Sequence, residues 1–330
     1  MERALGLALR GLGAVSPNPM VGAVIVAANG KIIGEGFHRR YGDAHAEVNA
    51  IESVAAQDRG LLGGSTLYVT LEPCSHQGKT PPCADLVVQT RFKRVVVGAV
   101  DPFREVSGRG ISRIKEAGIE VVTDVLGNEC RSLNARFFTA HTLRRPFVIL
   151  KWAESAEGIM GVRSADGYRM RISGELGETL VHRLRANCDA IAVGSGTALA
   201  DNPRLDVRIW NGRNPMRVVF DRRGRVKNDL WRLEQKEIPE VLSSLYNENV
   251  TSIVVEGGAT VLNSFIVNGL WDVARIERGA TPSEQRADCD VVAAPRLTGL
   301  PLCQHKVSDN RVFYYSNNEL VDKFFIENVL

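Results

Sequence analysis

No stretch of this 330-residue chain approaches the ~20 consecutive apolar residues needed to cross a bilayer. Charge of one sign is equally lacking. The 41 Lys and Arg residues nearly balance 38 Asp and Glu, leaving a net +3, so the strongly basic stripe of a nucleic-acid-binding domain is absent. Six cysteines are too few and too scattered for a disulfide framework in a chain this long. A reducing cytoplasm is therefore the expected compartment, and any clustered pair of cysteines reads first as ligands or nucleophiles. The opening stretch, Met1 to Val15, is interrupted by Arg3 and Arg10 and has no uninterrupted apolar run of the secretory type. Internal repeats, low-complexity tracts and a G-x-G-x-x-G fingerprint are missing too, which removes solenoids and gives no support to a Rossmann domain.

What remains is an ordinary globular composition, 44% hydrophobic and 24% charged, in a chain long enough for two domains. The first half alternates strands with helices. Val21 to Val26, the turn pair Asn29-Gly30 and Lys31 to Phe37 form an expected hairpin, because Asn-Gly favours the turn that matches strand twist. Helices are expected over 46–56, 83–90, 111–117 and 130–139, and strands over 66–71, 94–100 and 119–123. Pro146 after Arg144-Arg145 marks a boundary, since proline stops a helix and starts an extended segment. The second half restarts the alternation, with strands over 147–152, 190–194, 217–220, 252–255, 273–277 and 312–315. Helices are expected there over 175–186, 239–247 and 259–268. The expected fold class is α/β in both halves, with domains at 1–143 and 147–330.

Chemistry concentrates in the first half. His45-Ala46-Glu47 opens an expected helix, Pro73-Cys74 follows a strand, and Cys83 precedes the next helix. A thiolate is favoured at a helix start, where unpaired N–H groups and the dipole stabilise negative charge. One His and two Cys supply three ligands, the number a catalytic zinc site uses while leaving a position for water. Glu47 lies two residues past His45, roughly 200° around an ideal helix, so it is expected beside the ion rather than on it, as the group that moves protons. H-x-E followed by P-C is the pattern of zinc deaminases, but here eight residues, Ser75 to Pro82, separate the cysteines instead of two. Two readings stay open beside it: a structural zinc with His76 as fourth ligand, and a nucleic-acid-editing deaminase. Cys130, Cys188, Cys289 and Cys303 have no ligand-like spacing and read as core or surface residues.

Ser16-Pro17-Asn18-Pro19-Met20-Val21-Gly22, Gly36-Phe37-His38, His45-Ala46-Glu47-Val48 and the whole run Glu72 to Cys83 together resemble the bifunctional riboflavin-biosynthesis deaminase/reductase family. The resemblance covers nearly the whole chain. It implies a three-layer cytidine-deaminase-like domain and a dihydrofolate-reductase-like α/β domain. The first would deaminate a phosphoribosylated diaminohydroxypyrimidine with zinc on His45, Cys74 and Cys83 and Glu47 as proton shuttle. The second would use NADPH to reduce the ribosyl group to ribityl. Asn18, His38, His76, Lys79 and Asp101 match family positions that meet the pyrimidine and its phosphorylated arm.

The resemblance continues through His182 to Ala186, Gly194 to Thr197, Asp201 to Leu205 and Val255 to Thr260. It implies that Thr197, Asp201, Gly258, Ala259, Thr260, Val261, Leu262, Asn263 and Ser264 contact NADPH. Arg185, Leu205, Arg208 and Glu256 would contact the substrate. It also implies a homo-oligomer assembled through the reductase domain, with a small phosphorylated pyrimidine as partner and neither nucleic acid nor membrane. Four departures stand out: Glu157 in Ser155-Ala156-Glu157-Gly158, Arg171 where an aromatic residue is usual, Arg222 in place of a small residue, and Phe103-Arg104 after Asp101-Pro102. The connection between Phe220 and Pro239 is also short, with no strand expected in it, the mark of a trimmed domain or of joined flanks. A C-terminal half that binds or oligomerises without turnover is the alternative these departures leave open.

Overall fold

Gly30 stands at φ +85°, the left-handed backbone that the Asn-Gly turn requires, and joins β1 (Gly22–Val26) to β2 (Ile32–Phe37) as the expected hairpin. The structure, a computed structural model, describes residues 1–75, 81–103, 107–163, 170–280 and 290–330. It divides into two units, Met1–Leu143 with Glu327–Leu330, and Arg144–Ile326.

The first unit is built on a five-stranded sheet of order β2-β1-β3-β4-β5, with β3 (Thr66–Leu71), β4 (Arg94–Ala99) and β5 (Glu120–Val122). β1 runs antiparallel to β2 and β3, whereas β3, β4 and β5 are parallel. The helices are α1 (Glu2–Ala8), α2 (Ala46–Glu52), α3 (Cys83–Thr90), α4 (Arg109–Glu116), α5 (Gly127–Leu133) and α6 (Ala135–Leu143). β1 shows why its sequence is apolar without alternation. Ala23 and Ile25 pack with Ala46 and Ala50 of α2 and with Val87 of α3, while Val24 packs with Ala4 and Leu7 of α1. Helices cover both faces, so both sets of side chains must be apolar. α5 sits close on β4, since a Cβ at Gly98 would lie 2.3 Å from Cys130 Sγ.

Two expected helices end differently. The helix expected over 46–56 stops at Glu52, where Ser53 Oγ bonds back to Ala50 O at 2.7 Å, and a 3-10 segment follows over Ala56–Gly64. The helix expected over 130–139 is divided into α5 and α6 at Asn134. Its side chain accepts from Met20 N (2.8 Å) and donates to Met20 O (2.9 Å), clamping the loop that carries Asn18.

The second unit has an eight-stranded sheet of order β10-β9-β8-β11-β6-β12-β15-β14 and a separate pair, β13 with β7. The strands are β6 (Phe147–Glu154), β7 (Ile159–Arg163), β8 (Ala190–Gly194), β9 (Met216–Phe220), β10 (Arg232–Glu234), β11 (Ser252–Val255), β12 (Val273–Arg278), β13 (Asp290–Ala293), β14 (Cys303–Val307) and β15 (Asn310–Ser316). The six from β10 to β12 are mutually parallel, and β15 and β14 close the edge antiparallel. Helices are α7 (Glu175–Ala186), α8 (Ser195–Asp201), α9 (Ile238–Asn247) and α10 (Ala259–Val267). Val241 and Leu245 of α9 and Leu262 and Phe265 of α10 share one core with Val148, Leu150, Ile253 and Ile276 of the sheet. β10 corrects the expectation of a strandless connection after Phe220: its three residues pair in parallel with β9.

One buried charge anchors the entry into this sheet. Asp272, with its side chain 1% exposed, accepts from Arg145 Nη1 (2.6 Å) and Nη2 (3.0 Å), Val148 N (2.7 Å) and Asn318 Nδ2 (2.8 Å). Removing it strands a buried guanidinium and a backbone donor. Asp272→Ala is expected to cost about 3–5 kcal/mol, measurable as a shift of the urea midpoint of the second unit.

Candidate active sites

Two loops and two helix starts bring together the three ligands expected from the sequence. His45 is the N-cap of α2, Cys83 is the first residue of α3, and Cys74 follows β3 through Pro73. His45 Nδ1 lies 3.2 Å from Cys83 Sγ and 3.6 Å from Cys74 Sγ, and the three ligand atoms all fall within 4.8 Å of one another. Tetrahedral zinc with Zn–N of about 2.05 Å and Zn–S of about 2.3 Å separates nitrogen from sulfur by about 3.6 Å, so the donor set fits that ion. Cys83 N donates to Cys74 Sγ at 3.3 Å, which supports a thiolate there. Hydrogen bonding from the Cys83 thiol and from His45 brings the Cys74 thiol down to about 4, against the effect of burial. The Cys83 thiol moves up, through its bond to Cys74 and its burial.

Glu47, in the first turn of α2, is 3% exposed and shares a pocket with His45 and Cys74. Burial, reinforced by the charge of Cys74, pushes its carboxyl up to about 7. A carboxyl there can both accept and give a proton near neutrality. His38 and Asn18 line the same pocket of about 410 Å³. His38 Nδ1 lies 3.1 Å from Ala44 O and must donate to it, which leaves Nε2 to accept from Asn18 Nδ2 at 3.1 Å. Burial lowers the His38 pKa and keeps this neutral form. Asn18 Oδ1 is thereby left as the acceptor end of a fixed amide. Asp101 is also in the pocket wall, and its Oδ1 accepts from Phe103 N at 2.8 Å. His76, Lys79 and Arg104 lie outside the described residues, as does Cys289.

Three features of this site were missed in the sequence. Glu72, 4% exposed, accepts backbone N–H groups from Asp101 (3.2 Å), Gly108 (2.9 Å), Gly110 (2.9 Å) and Ile111 (3.2 Å). It fixes the start of α4 and the Asp101 loop beside the residue that leads into Pro73-Cys74. Asn49 donates to Phe37 O (2.9 Å) and Ala44 O (3.1 Å), pinning the start of α2. An aromatic wall completes the pocket: Phe103 stands edge-on to His141 (5.4 Å), which stands edge-on to Phe137 (4.4 Å).

In the second unit, Arg185 and Glu256 form a two-pronged pair, Nε to Oε1 and Nη2 to Oε2, both 2.8 Å, with side chains 13% and 9% exposed. Burial would raise the Glu256 pKa, but the Arg185 hydrogen bonds and the nearby Arg185, Lys151 and Arg275 charges hold it below the usual range. Arg208 binds Asp206 Oδ1 at 2.7 Å, and its N–H donates to His182 Nδ1 at 3.2 Å. Leu205 is buried, at φ +49° between Arg204 and Asp206. Lys151, in register with Arg275 on β12, belongs to this group; burial lowers its pKa. Arg275 and Glu277, 3% and 0% exposed, pair at 3.7 Å on the same face of β12. Charges alternating within a strand are the one trace of them in the sequence.

Thr197 Oγ1 accepts from Gly258 N at 2.9 Å, tying the start of α8 to the start of α10. The crevice between them has no room for side chains: a Cβ at Gly194 would lie 2.6 Å from Val261 Cγ2, and one at Gly257 3.1 Å from Gly194 N. Bare backbone at two helix starts suits the phosphates of a dinucleotide. Within the run from Gly258 to Ser264, Ala259 and Thr260 open α10, while Asn263 is exposed and Val261 leans on Gly194. Leu262 is fully buried in the core, and Ser264 Oγ turns back to Thr260 O at 2.9 Å. Asp201 is exposed at the end of α8. Of the departures, Glu157 accepts from Ser155 Oγ (2.7 Å), Arg171 pairs with Glu178 (3.0 Å) and Arg222 with Glu237 (3.3 Å).

The family model described as the cytidine and deoxycytidylate deaminase zinc-binding region matches residues 1–99, and that of the RibD C-terminal domain matches residues 146–277. The chain is 36% identical over 307 residues to the riboflavin biosynthesis protein RibD of Actinobacillus pleuropneumoniae, covering 82% of this chain and 80% of that protein. It is 38% identical over 308 residues to RibD of Bacillus amyloliquefaciens, covering 82% and 81%. A solved structure from Thermotoga maritima, a diaminohydroxyphosphoribosylaminopyrimidine deaminase/5-amino-6-(5-phosphoribosylamino)uracil reductase, superposes with a TM-score of 0.82 at 36% identity, covering 95% of this chain and 96% of that one.

Because Glu72 gathers so many backbone donors, Glu72→Ala is expected to destabilise the first unit by about 2–4 kcal/mol. Hydrogen exchange at Gly108, Gly110 and Ile111 should accelerate in that variant before exchange in β3 does.

Proposed function

Because this chain belongs to the RibD family of riboflavin-biosynthesis proteins, it is a zinc-dependent deaminase joined to an NADPH-dependent reductase, and we propose how its residues divide that work. Residues 1–143 are the deaminase domain and 147–330 the reductase domain. The deaminase substrate is the diaminohydroxypyrimidine carrying a phosphoribosyl arm, and the reductase substrate is the aminouracil it becomes. The observation that carries the first assignment is a cluster of three zinc-type ligands sharing one pocket with a buried carboxyl of raised pKa.

His45, Cys74 and Cys83 would hold the zinc, which would supply the Lewis acidity that makes a water nucleophilic near neutral pH. Glu47 takes the proton from the attacking water and hands it to the departing amine, which leaves as ammonia. Asn18 Oδ1 and the neutral His38 orient the pyrimidine, and Asp101, His76 and Lys79 meet its phosphorylated arm. Phe103, Phe137 and His141 give the ring an apolar wall.

NADPH supplies the hydride for the second reaction. Thr197, Gly258, Ala259 and Thr260 receive its phosphates on backbone and hydroxyl groups, with Asp201 and the remainder of the segment to Ser264 flanking them. Arg185 and Glu256 position the substrate beside it, and Arg208 and Leu205 close the site toward the ribose phosphate. No helix among the described residues is long and apolar enough to cross a membrane. We read the protein as cytoplasmic, since reduced cysteines are needed as ligands, and as a homo-oligomer through the reductase domain.

Glu47→Gln is expected to retain zinc while ammonia release falls by about 10²–10⁴-fold; release at the wild-type rate would refute the shuttle. Cys74→Ala should lose the metal in elemental analysis of the purified variant. Adding the deaminated intermediate to the wild-type protein should consume NADPH, followed by its absorbance, without further ammonia.

A further inference from the structure

α7 turns two side chains toward one segment of the chain. His182 and Arg185 stand three residues apart and so share a face of the helix. Arg185 Nη1 donates to Asp206 O at 3.1 Å, and His182 Nδ1 accepts from Arg208 N at 3.2 Å. The helix thus grips both ends of a short stretch by its backbone, and that stretch needs holding. Leu205, just before it, stands at φ +49°, left-handed backbone that a leucine adopts only where its surroundings impose it. Val207 N adds a third tie, to Asn214 Oδ1 at 2.7 Å. Buried Asp206 pairs with both Arg204 and Arg208 at 2.7 Å. The Arg208 side chain is itself largely exposed, so its direction is set by Asp206 and by the backbone that His182 holds.

A ring nitrogen that accepts a backbone N–H carries no proton of its own, so this bond requires neutral His182 with its proton on Nε2. The surroundings favour that form. His182 is 3% exposed, and burial lowers its pKa. Four charged groups face it. Arg185 on its own helix and Arg208 on the clamped segment lower the pKa further, while Asp206 on that segment and Glu256 after β11 act in the raising direction. Protonation at Nδ1 would set two donors head to head and add a third cation beside Arg185 and Arg208. The clamp therefore holds at neutral pH and is lost as pH falls through the lowered pKa.

We propose that His182 is a positioning residue for the reductase substrate: its Nδ1 fixes the backbone of Arg208, and so the guanidinium offered to the substrate phosphate. His182 touches neither substrate nor cofactor in this role; it acts through the segment it holds. Binding of the phosphorylated substrate then depends on neutral His182, whereas hydride transfer to substrate already bound does not. The inference rests on the reading of Arg208 and Leu205 as substrate groups and adds to it the side chain that holds them and the pH at which it lets go.

The test follows NADPH oxidation by the full chain with the aminouracil substrate, between about pH 8 and pH 5. His182→Leu removes the acceptor and should raise the substrate KM about 5- to 50-fold with kcat little changed. His182→Asn puts an amide oxygen close to the place of Nδ1 and should recover most of that loss. Asparagine does not titrate, so the ratio of the wild-type KM to the His182→Asn KM should climb as pH falls below the ordinary histidine value of about 6.5. Titration of the substrate phosphate is common to both proteins and cancels in the ratio. Nitrogen-15 NMR of histidine-labelled protein should find the His182 ring proton on Nε2 at neutral pH. A KM ratio that stays flat, a His182→Asn variant no better than His182→Leu, or a loss confined to kcat overturns the proposal. A ring proton on Nδ1 overturns it without reference to activity. A wild-type chain that oxidises no NADPH at any pH sinks the reductase reading and this proposal with it, whereas the outcomes before it sink this proposal alone.

Discussion

The first turn of an α-helix presents backbone N–H groups that the helix cannot satisfy. Both units place there the residues to which we assign their chemistry. In the deaminase unit His45 and Glu47 open α2 and Cys83 opens α3, so negative sulfur and carboxylate sit where the helix field favours them. In the reductase unit Thr197 lies in the first turn of α8 and Gly258 caps α10, the two helix starts that we propose receive phosphate. α4 shows the other use of a helix start. Glu72 takes the amides of Gly110 and Ile111 for itself, so this helix serves as a fixed support for the pocket loop and offers no anion site.

Burial acts on two glutamates in opposite ways, and the partners decide. Glu47 is buried beside a thiolate, which adds to the desolvation and keeps a proton available near neutral pH. Glu256 is buried too, yet two hydrogen bonds from Arg185 overcome the desolvation and keep it ionised. One residue type is thus held near its proton in one unit and as a fixed charge in the other.

The legible part of the molecule was whatever repeats locally. The Asn29-Gly30 turn, the apolar strands and the His-x-Glu and Pro-Cys spacings are short-range patterns, and they located the hairpin, most of both sheets and the His45, Cys74 and Cys83 that cluster in space. Long-range partners were not legible. Glu72 looks like one more residue of the metal motif until the Asp101 loop and α4 fold back onto it. Asn134 reads as part of a helix until Met20 claims its side chain. Lys151, Arg275 and Glu277 lie in strands that should be apolar, and their reason is visible only when α7 and Glu256 come over the same face. Helix propensity carried the reading past Glu52 because a hydroxyl turned back on the chain leaves no periodic trace.

All of the described residues that we assign to zinc and to the proton shuttle come before Leu143, and those we assign to hydride transfer come after Arg144. The two reactions share a polypeptide without sharing a side chain among those we assign to them. In genetic terms, such a chain behaves as two cistrons written as one. On the assignments we propose, an allele damaged at Cys74 keeps the second step and one damaged at Arg185 keeps the first, so each lacks what the other retains.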